Sequence, residues 1–299
     1  MKINLANIKK AKKILKKGES VAIPTETVYG LAGNAYSDQA CRKIFKLKKR
    51  PKNNPLIVHY YNYQNLSVDC NFNDDFIKLY KKFCPGPITF VLDLKKNSKI
   101  SKIATNKKNT LAVRFPKHTV TRTLLKQLSF PLAAPSANLS SKVSAVSSND
   151  VREDFGRKVK YILEGGKSSI GLESTIIDLR KEPKILRLGG LEISKIQSVL
   201  KKKILTNINP SRNSFPGQLK VHYSPGIPIR LCVKKINNYE AFLLIKKRKK
   251  TKPNYYFLSK NGDLKEAAKN LYSTLRKIKK NNYKSIAVEK ISNKGFGKA

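Results

Sequence analysis

The chain of 299 residues has no tryptophan, one methionine, three histidines and four cysteines. Cys41, Cys70, Cys84 and Cys232 form no Cys-x-x-Cys pair. That spacing excludes a disulfide framework and a cysteine zinc site. With only His59, His118 and His222 to draw on, a histidine-rich metal centre is excluded as well. No run approaches the ~20 apolar residues of a membrane span. The N-terminal MKINLANIKKAKKILKKG lacks the apolar centre of a signal peptide. A soluble, cytoplasmic protein is expected. There is no Walker A loop and no Gly-x-Gly-x-x-Gly, and Gly30-Leu31-Ala32-Gly33 is too short to carry a nucleotide argument. Any phosphate would have to be held by side chains and by amides at helix starts.

Acid is scarce too. Against 19 Asp and Glu stand 63 Lys and Arg, a net charge of +44. Such a field favours anionic ligands or nucleic acid. The excess is mostly lysine, dispersed and mixed with Asn and Ile, which reads equally well as a compositional bias on a solvated face.

Apolar periodicity predicts a helix over Leu5, Ile8, Ala11 and Leu15, closed by Gly18. A short strand follows at Ser20 to Pro24, then a helix capped by Ser37, then a strand at Leu56 to Tyr60. Asn73-Asp74-Asp75 predicts a helix start, with Pro85-Gly86-Pro87 as its stop. Strands are predicted at Ile88 to Leu94, Thr110 to Phe115, Pro131 to Pro135, Tyr161 to Leu163, Ser174 to Leu179 and Lys184 to Leu188. Helices are predicted at Thr121 to Leu128, Asn149 to Phe155 and Glu192 to Lys202. The interleaving implies an α/β fold with a mixed, twisted open sheet and flanking helices. Asn207 to Gly226 is rich in Pro, Ser, Asn and Gly and reads as a linker. A smaller α/β pattern follows, with strands at Ile229 to Val233, Ala241 to Ile245, Tyr255 to Leu258 and Ser285 to Val288 and a helix at Leu264 to Ile278.

Three clusters stand at strand ends. PTETVYGL (Pro24 to Leu31) gathers hydroxyls, and KLKKRPKNNPLIVH (Lys46 to His59) gathers cations just before a strand. Arg50 can donate a two-pronged fork and Lys48 a point charge; a plain basic loop reads equally well. APSANLSSKVS (Ala134 to Ser144) follows an apolar strand with Ser136, Asn138, Ser140 and Ser144. A Ser-rich turn is its plain alternative, and with no base nearby in sequence a Ser136 nucleophile has little support. GLESTIIDL (Gly171 to Leu179) and ILRLGG (Ile185 to Gly190) form the third. Arg114, inside the apolar strand TLAVRF, is costly unless paired. A buried ion pair and a carboxylate-binding site are both open for it, and His59 is open to a structural role.

In this order the motifs resemble one family, the YrdC-type L-threonylcarbamoyl-AMP synthases in their longer two-domain form. PTETVYGL, Lys48-x-Arg50-Pro51 to Leu56, CPGPIT, LAVRFP, APSANLS, ESTIID and HYSP carry the resemblance, which spans nearly the whole chain. It implies a YrdC-like catalytic domain over 1–206, a linker over 207–226 crossing the active site, and a small Rossmann-like α/β domain over 227–299. The implied reaction, a nucleotidyl transfer, joins L-threonine, bicarbonate and ATP, with Mg²⁺, into threonylcarbamoyl-AMP, pyrophosphate and water. A transferase complex would then modify tRNA beside the anticodon. The implied threonine pocket is Thr27, His59, Arg114 and Ser174. The implied ATP side is Lys48, Arg50, Asn54, Thr110, Ser136, Asn138, Ser144, Arg187 and Tyr223. Lys48, Arg50 and Arg114 would carry catalysis, and no protein-held metal is implied. The sequence departs from the family pattern at Ser144-Ala145-Val146, at Arg187-Leu188-Gly189 and at its end, NKGFGKA, where a further helix is usual; a shortened second domain is expected. A non-catalytic RNA-binding module with tRNA contact is the competing expectation.

Overall fold

The computed structural model describes residues 3–206 and 223–299. The first unit opens with α1 (Leu5–Lys16), β1 (Val21–Ile23), β2 (Gly30–Asn34), α2 (Asp38–Lys48) and β3 (Ile57–His59). Next come α3 (Tyr63–Leu66), β4 (Cys70–Asn71), α4 (Asp74–Phe83), β5 (Ile88–Leu94), α5 (Lys102–Thr105) and β6 (Thr110–Arg114). It closes with α6 (Thr119–Lys126), β7 (Leu132–Ala133), α7 (Ser148–Phe155), β8 (Tyr161–Ile162), β9 (Thr175–Asp178), β10 (Lys184–Arg187), α8 (Ile193–Leu200) and β11 (Leu205–Thr206). Among the described residues its strands form one eleven-stranded mixed sheet in the order β11-β10-β9-β5-β6-β3-β7-β2-β1-β8, with β4 beside β5.

The helices begin where side chains accept from otherwise unpaired amides. Asn4, Ser37 and Asn73 cap α1, α2 and α4. Ser147 and Asp150 form a reciprocal capping box on α7. Each helix buries one stripe: Ile8, Ala11 and Leu15 of α1, and Ala40, Cys41, Ile44 and Phe45 of α2.

Three differences from the expected elements have local causes. β2 is a strand although Gly30-Leu-Ala-Gly-Asn34 has no strand-forming preference. It is held between β1 and β7, and Ile44 of α2 would stand 3.1 Å from any Cβ at Gly33. β7 is only two residues long because Pro131 and Pro135 cannot donate to a ladder. The strand expected over 229–233 stops at Arg230, and Cys232 turns the chain at φ 58°.

The second unit contains β12 (Ile229–Arg230), β13 (Glu240–Lys246), β14 (Tyr255–Ser259), α9 (Leu264–Lys280) and β15 (Ser285–Val288). Its four strands are all parallel, in the order β12-β15-β13-β14. Ala267, Ala268, Tyr272, Leu275 and Ile278 of α9 share a core with Ala241, Leu243 and Ile286 of this sheet and with Val28, Val143, Val146 and Leu172 of the first unit. Most of the expected linker, 207–222 with His222, lies outside the described residues. Among the described residues no helix is long and apolar enough to cross a membrane.

Candidate active site

Strand alternation decides which residues can meet. β3 and β6 run parallel in the register Ile57↔Ala112 and His59↔Arg114. β5 runs against β6 with Thr89 opposite Arg114. Val58, Tyr60, Leu111 and Val113 point into the main core. Ile57, His59, Ala112 and Arg114 therefore share the opposite face, whose floor is Ile57, Val91, Ala112, Ile176 and Leu186. Over this face lies a cleft lined by Thr25, Val28, Tyr29, Gly30 and Pro135 as well as by most of the polar residues described next.

A row crosses three strands at His59, Arg114 and Thr89, and Ser174, just before β9, meets it with its Oγ 2.6 Å from Thr89 Oγ1. Arg114 is 4% exposed and donates from Nη2 to Glu26 Oε1 at 2.7 Å. The other Glu26 oxygen accepts from Lys117 N at 2.9 Å. Arg114 is half of a buried ion pair, and it also lines the cleft with an Nε that has no partner. His59 is 2% exposed, and neither ring nitrogen makes a hydrogen bond. Burial, reinforced by the charge of Arg114, lowers its pKa to about 3, against a weak opposing pull from the Ile57 and Leu132 carbonyls. The imidazole is neutral at any ordinary pH. The loop before β2 is braced by Thr25, whose hydroxyl donates to Val28 O at 2.6 Å and lies 2.9 Å from Thr27 Oγ1. Thr25 lines the cleft, and Thr27 is fully buried behind it.

Arg50 and Arg187 bring two further cations to the cleft. Arg50 donates to Asn54 O at 2.9 Å, Asn54 Oδ1 at 2.6 Å and Pro55 O at 2.8 Å. Burial and the nearby Arg187 push its pKa down, while it remains a guanidinium at neutral pH. Arg187 forks onto Ser174 O at 3.0 and 2.9 Å and onto Ser174 Oγ at 3.1 Å. Ser136 lines the cleft, and Asn54 Nδ2, Asn138 Oδ1 and Ser140 Oγ are buried without partners. Three guanidiniums face one lining carboxylate, Glu173. That balance suits an anionic ligand.

Several expected residues lie outside the lining. Lys48, the last residue of α2, points inward, with Nζ 2.5 Å from both Ser136 O and Asn138 O. Desolvation and Arg50 lower its pKa. It holds the APSANLS loop from beneath. Ser144 bonds Glu173 Oε1 at 2.5 Å. Thr110 shares the face of Ala112 and Arg114 but begins β6, about 13 Å from Arg114 at the usual rise per residue. Tyr223 lines a neighbouring cavity of about 320 Å³ with Glu173, Leu188 and Gly189, and stacks on Tyr272 at 5.6 Å. Glu26 and Glu173 were not singled out from the sequence, although each sits inside a quoted motif. An acid amid hydroxyls and next to a strand was the available signal.

The comparisons with known proteins follow the same division. A family profile described as "Telomere recombination" (Sua5, YciO, YrdC) matches residues 13–189. One described as "Threonylcarbamoyl-AMP synthase, C-terminal domain" matches residues 191–299. A threonylcarbamoyl-AMP synthase of Pyrococcus abyssi is 34% identical over 307 residues, covering 95% of this chain and 89% of that protein. One of Bacillus subtilis is 37% identical, covering 77% of this chain and 67% of that protein. The crystal structure of P. abyssi Sua5 complexed with L-threonine superposes with a TM-score of 0.91 at 32% identity, covering 99% of this chain and 92% of that one.

Proposed function

The chain belongs to the Sua5–YciO–YrdC family, in the form that carries a Sua5 C-terminal domain, and on that premise we propose that it makes threonylcarbamoyl-AMP from L-threonine, bicarbonate and ATP. The observation that carries this reading is Arg114, a buried guanidinium anchored by Glu26 that lines the cleft beside an unpartnered, neutral His59. A small zwitterion with a hydroxyl side chain meets what these groups lack. Its carboxylate fits Arg114, and its hydroxyl finds donors and acceptors in His59, Thr27, Thr89 and Ser174.

The amine of threonine captures carbon dioxide as a carbamate, with water as the by-product when bicarbonate is the source. A carbamate oxygen attacks the α-phosphorus of ATP. The bond to the β-phosphate breaks and pyrophosphate leaves with the electron pair. The nucleophile is already anionic, so the chain supplies position and charge neutralisation. Arg50 and Arg187 receive the phosphates, Ser136 and the loop amides held by Lys48 frame them, and Asn54, Asn138, Thr110 and Ser144 complete the ATP side. Mg²⁺ arrives on the triphosphate. Among the described residues no group of three His, Cys, Asp or Glu side chains is gathered, and the lining carboxylate Glu173 is engaged by Ser144 and Tyr272. In enzyme-class terms this is a nucleotidyltransferase. On this reading residues 1–206 form the catalytic unit and 227–299 the second unit, and Tyr223 belongs to the nucleotide side. A transferase complex takes the product to tRNA.

Pyrophosphate release from Mg-ATP tests the reading. It should require both L-threonine and bicarbonate, and release that ignores either one would refute it.

A further inference from the structure

We propose that Tyr272, on α9 of the second unit, is a positioning residue for the nucleotide side of the cleft, acting through Glu173 on Ser144. The inference rests on the threonylcarbamoyl-AMP reading and deepens it, because it places part of the second unit in the machinery.

Glu173 is buried, and a buried carboxylate requires donors. One oxygen accepts from Ser144 Oγ at 2.5 Å and the other from Tyr272 Oη at 2.6 Å, one hydroxyl from each unit, and the Tyr223 hydroxyl joins the Glu173–Tyr272 cluster. Among the described residues no Lys or Arg pairs with it. The next residue is Ser174, whose hydroxyl and carbonyl hold Arg187, and the Glu173 carbonyl accepts from Gly190 N at 2.8 Å. The carboxylate therefore sits where the loops bearing Ser144, Ser174 and Arg187 meet.

α9 is seated tightly against these loops. A Cβ at Gly171, whose φ is +76°, would stand 2.6 Å from Lys269 Cα. Arg276 donates to Val143 O at 2.7 Å, one residue before Ser144, and to both oxygens of Asp154 at 3.1 and 2.7 Å. The Tyr272 ring stacks on Tyr223. Burial raises the Tyr272 pKa, so the phenol stays a donor. The Tyr272 hydroxyl thus ties the seating of α9 to the rotamer of Glu173 and through it to the direction of the Ser144 hydroxyl.

The test uses the full chain. Tyr272→Phe deletes the hydroxyl and keeps the ring and its stack. ATP affinity is measured by calorimetry, which needs no turnover, alongside melting temperature and the steady-state KM for each substrate. Tyr272→Phe is expected to weaken ATP binding about 10- to 150-fold, the scale of one hydrogen bond to a charged group. The KM for threonine should stay within about twofold, since Tyr272 hydrogen-bonds to Glu173 rather than to Thr27, His59, Arg114 or Ser174. Glu173→Gln should show the same pattern, and the double variant should be no weaker than the worse single, since both interrupt one path. Unchanged ATP affinity with a lowered melting temperature would make Tyr272 a structural fastener and overturn the proposal, as would additive effects. If wild-type pyrophosphate release ignored threonine, the functional reading would fall, while the ATP titration would still decide whether Tyr272 acts on the nucleotide side.

Discussion

Replacing Arg114 by Met separates what this residue does for stability from what it does for binding. The substitution keeps most of the apolar length and removes the guanidinium. Glu26, about as buried as Arg114, is left with Lys117 N as its donor at 2.9 Å. Removing one partner of a buried ion pair costs about 3–5 kcal/mol, a large share of the roughly 5–15 kcal/mol that holds a domain folded. Adding Glu26→Gln removes the stranded charge and keeps an acceptor for Lys117 N. The double variant should recover about 2–4 kcal/mol of the loss, because replacing both halves of such a pair is close to neutral. Threonine affinity should not recover. Losing a charged partner for the carboxylate costs about 2–4 kcal/mol, roughly 30- to 1,000-fold in Kd. Urea denaturation gives the first quantity and calorimetric titration with L-threonine the second. A double variant as unstable as Arg114→Met would refute the ion-pair account. Threonine binding of wild-type strength in either variant would refute the carboxylate clamp.

Three further outcomes follow from the same geometry. Burial lowers His59 from 6.5 to about 3, so between those values the unfolded chain binds a proton that the folded chain refuses, and stability falls as pH falls through that window. Between pH 7.5 and 5 the wild type should lose about 2 kcal/mol more than His59→Asn in urea denaturation; parallel losses would contradict the neutral buried imidazole. Lys48→Met should weaken ATP binding about tenfold or more by unpairing the Ser136 and Asn138 carbonyls, and Lys48→Arg should fail to restore it because the site is filled; nucleotide titration with unchanged affinity would remove Lys48 from the account. Truncation after Thr206 should lower the melting temperature of the first unit as well as activity, because Val28, Val143, Val146 and Leu172 lose their cover. A truncated protein that melts like the full chain would contradict a shared core.

Where local chemistry decides an element, the sequence announces it. Ser37 and Asn73 mark α2 and α4 because a cap needs only a side chain and the amides of the next turn. β2 carried no such mark, since pairing on both edges and the approach of α2 make it a strand. The site divides in the same way. Arg114 stands out as a cation in an apolar strand, and the fold supplies the buried partner that such a cation needs, Glu26. Glu26 and Glu173 did not stand out, because what makes them special is far away in sequence: Arg114 and Lys117 lie 88 and 91 positions from Glu26, and Ser144 and Tyr272 lie 29 and 99 positions from Glu173. Motif order led to the residues, but only the fold assigned their partners. It also showed that Lys48 and Arg50, two positions apart, diverge, one buried under a loop and the other lining the cleft.

The most direct measurement is the mass of the nucleotide product made from ATP, Mg²⁺, L-threonine and ¹³C-bicarbonate. The account predicts an adenylate carrying both the threonine and the labelled carbon, formed together with pyrophosphate and lost when Arg114 is replaced. ADP, or AMP without threonine and label, as the sole product of a folded and substrate-saturated sample would contradict it.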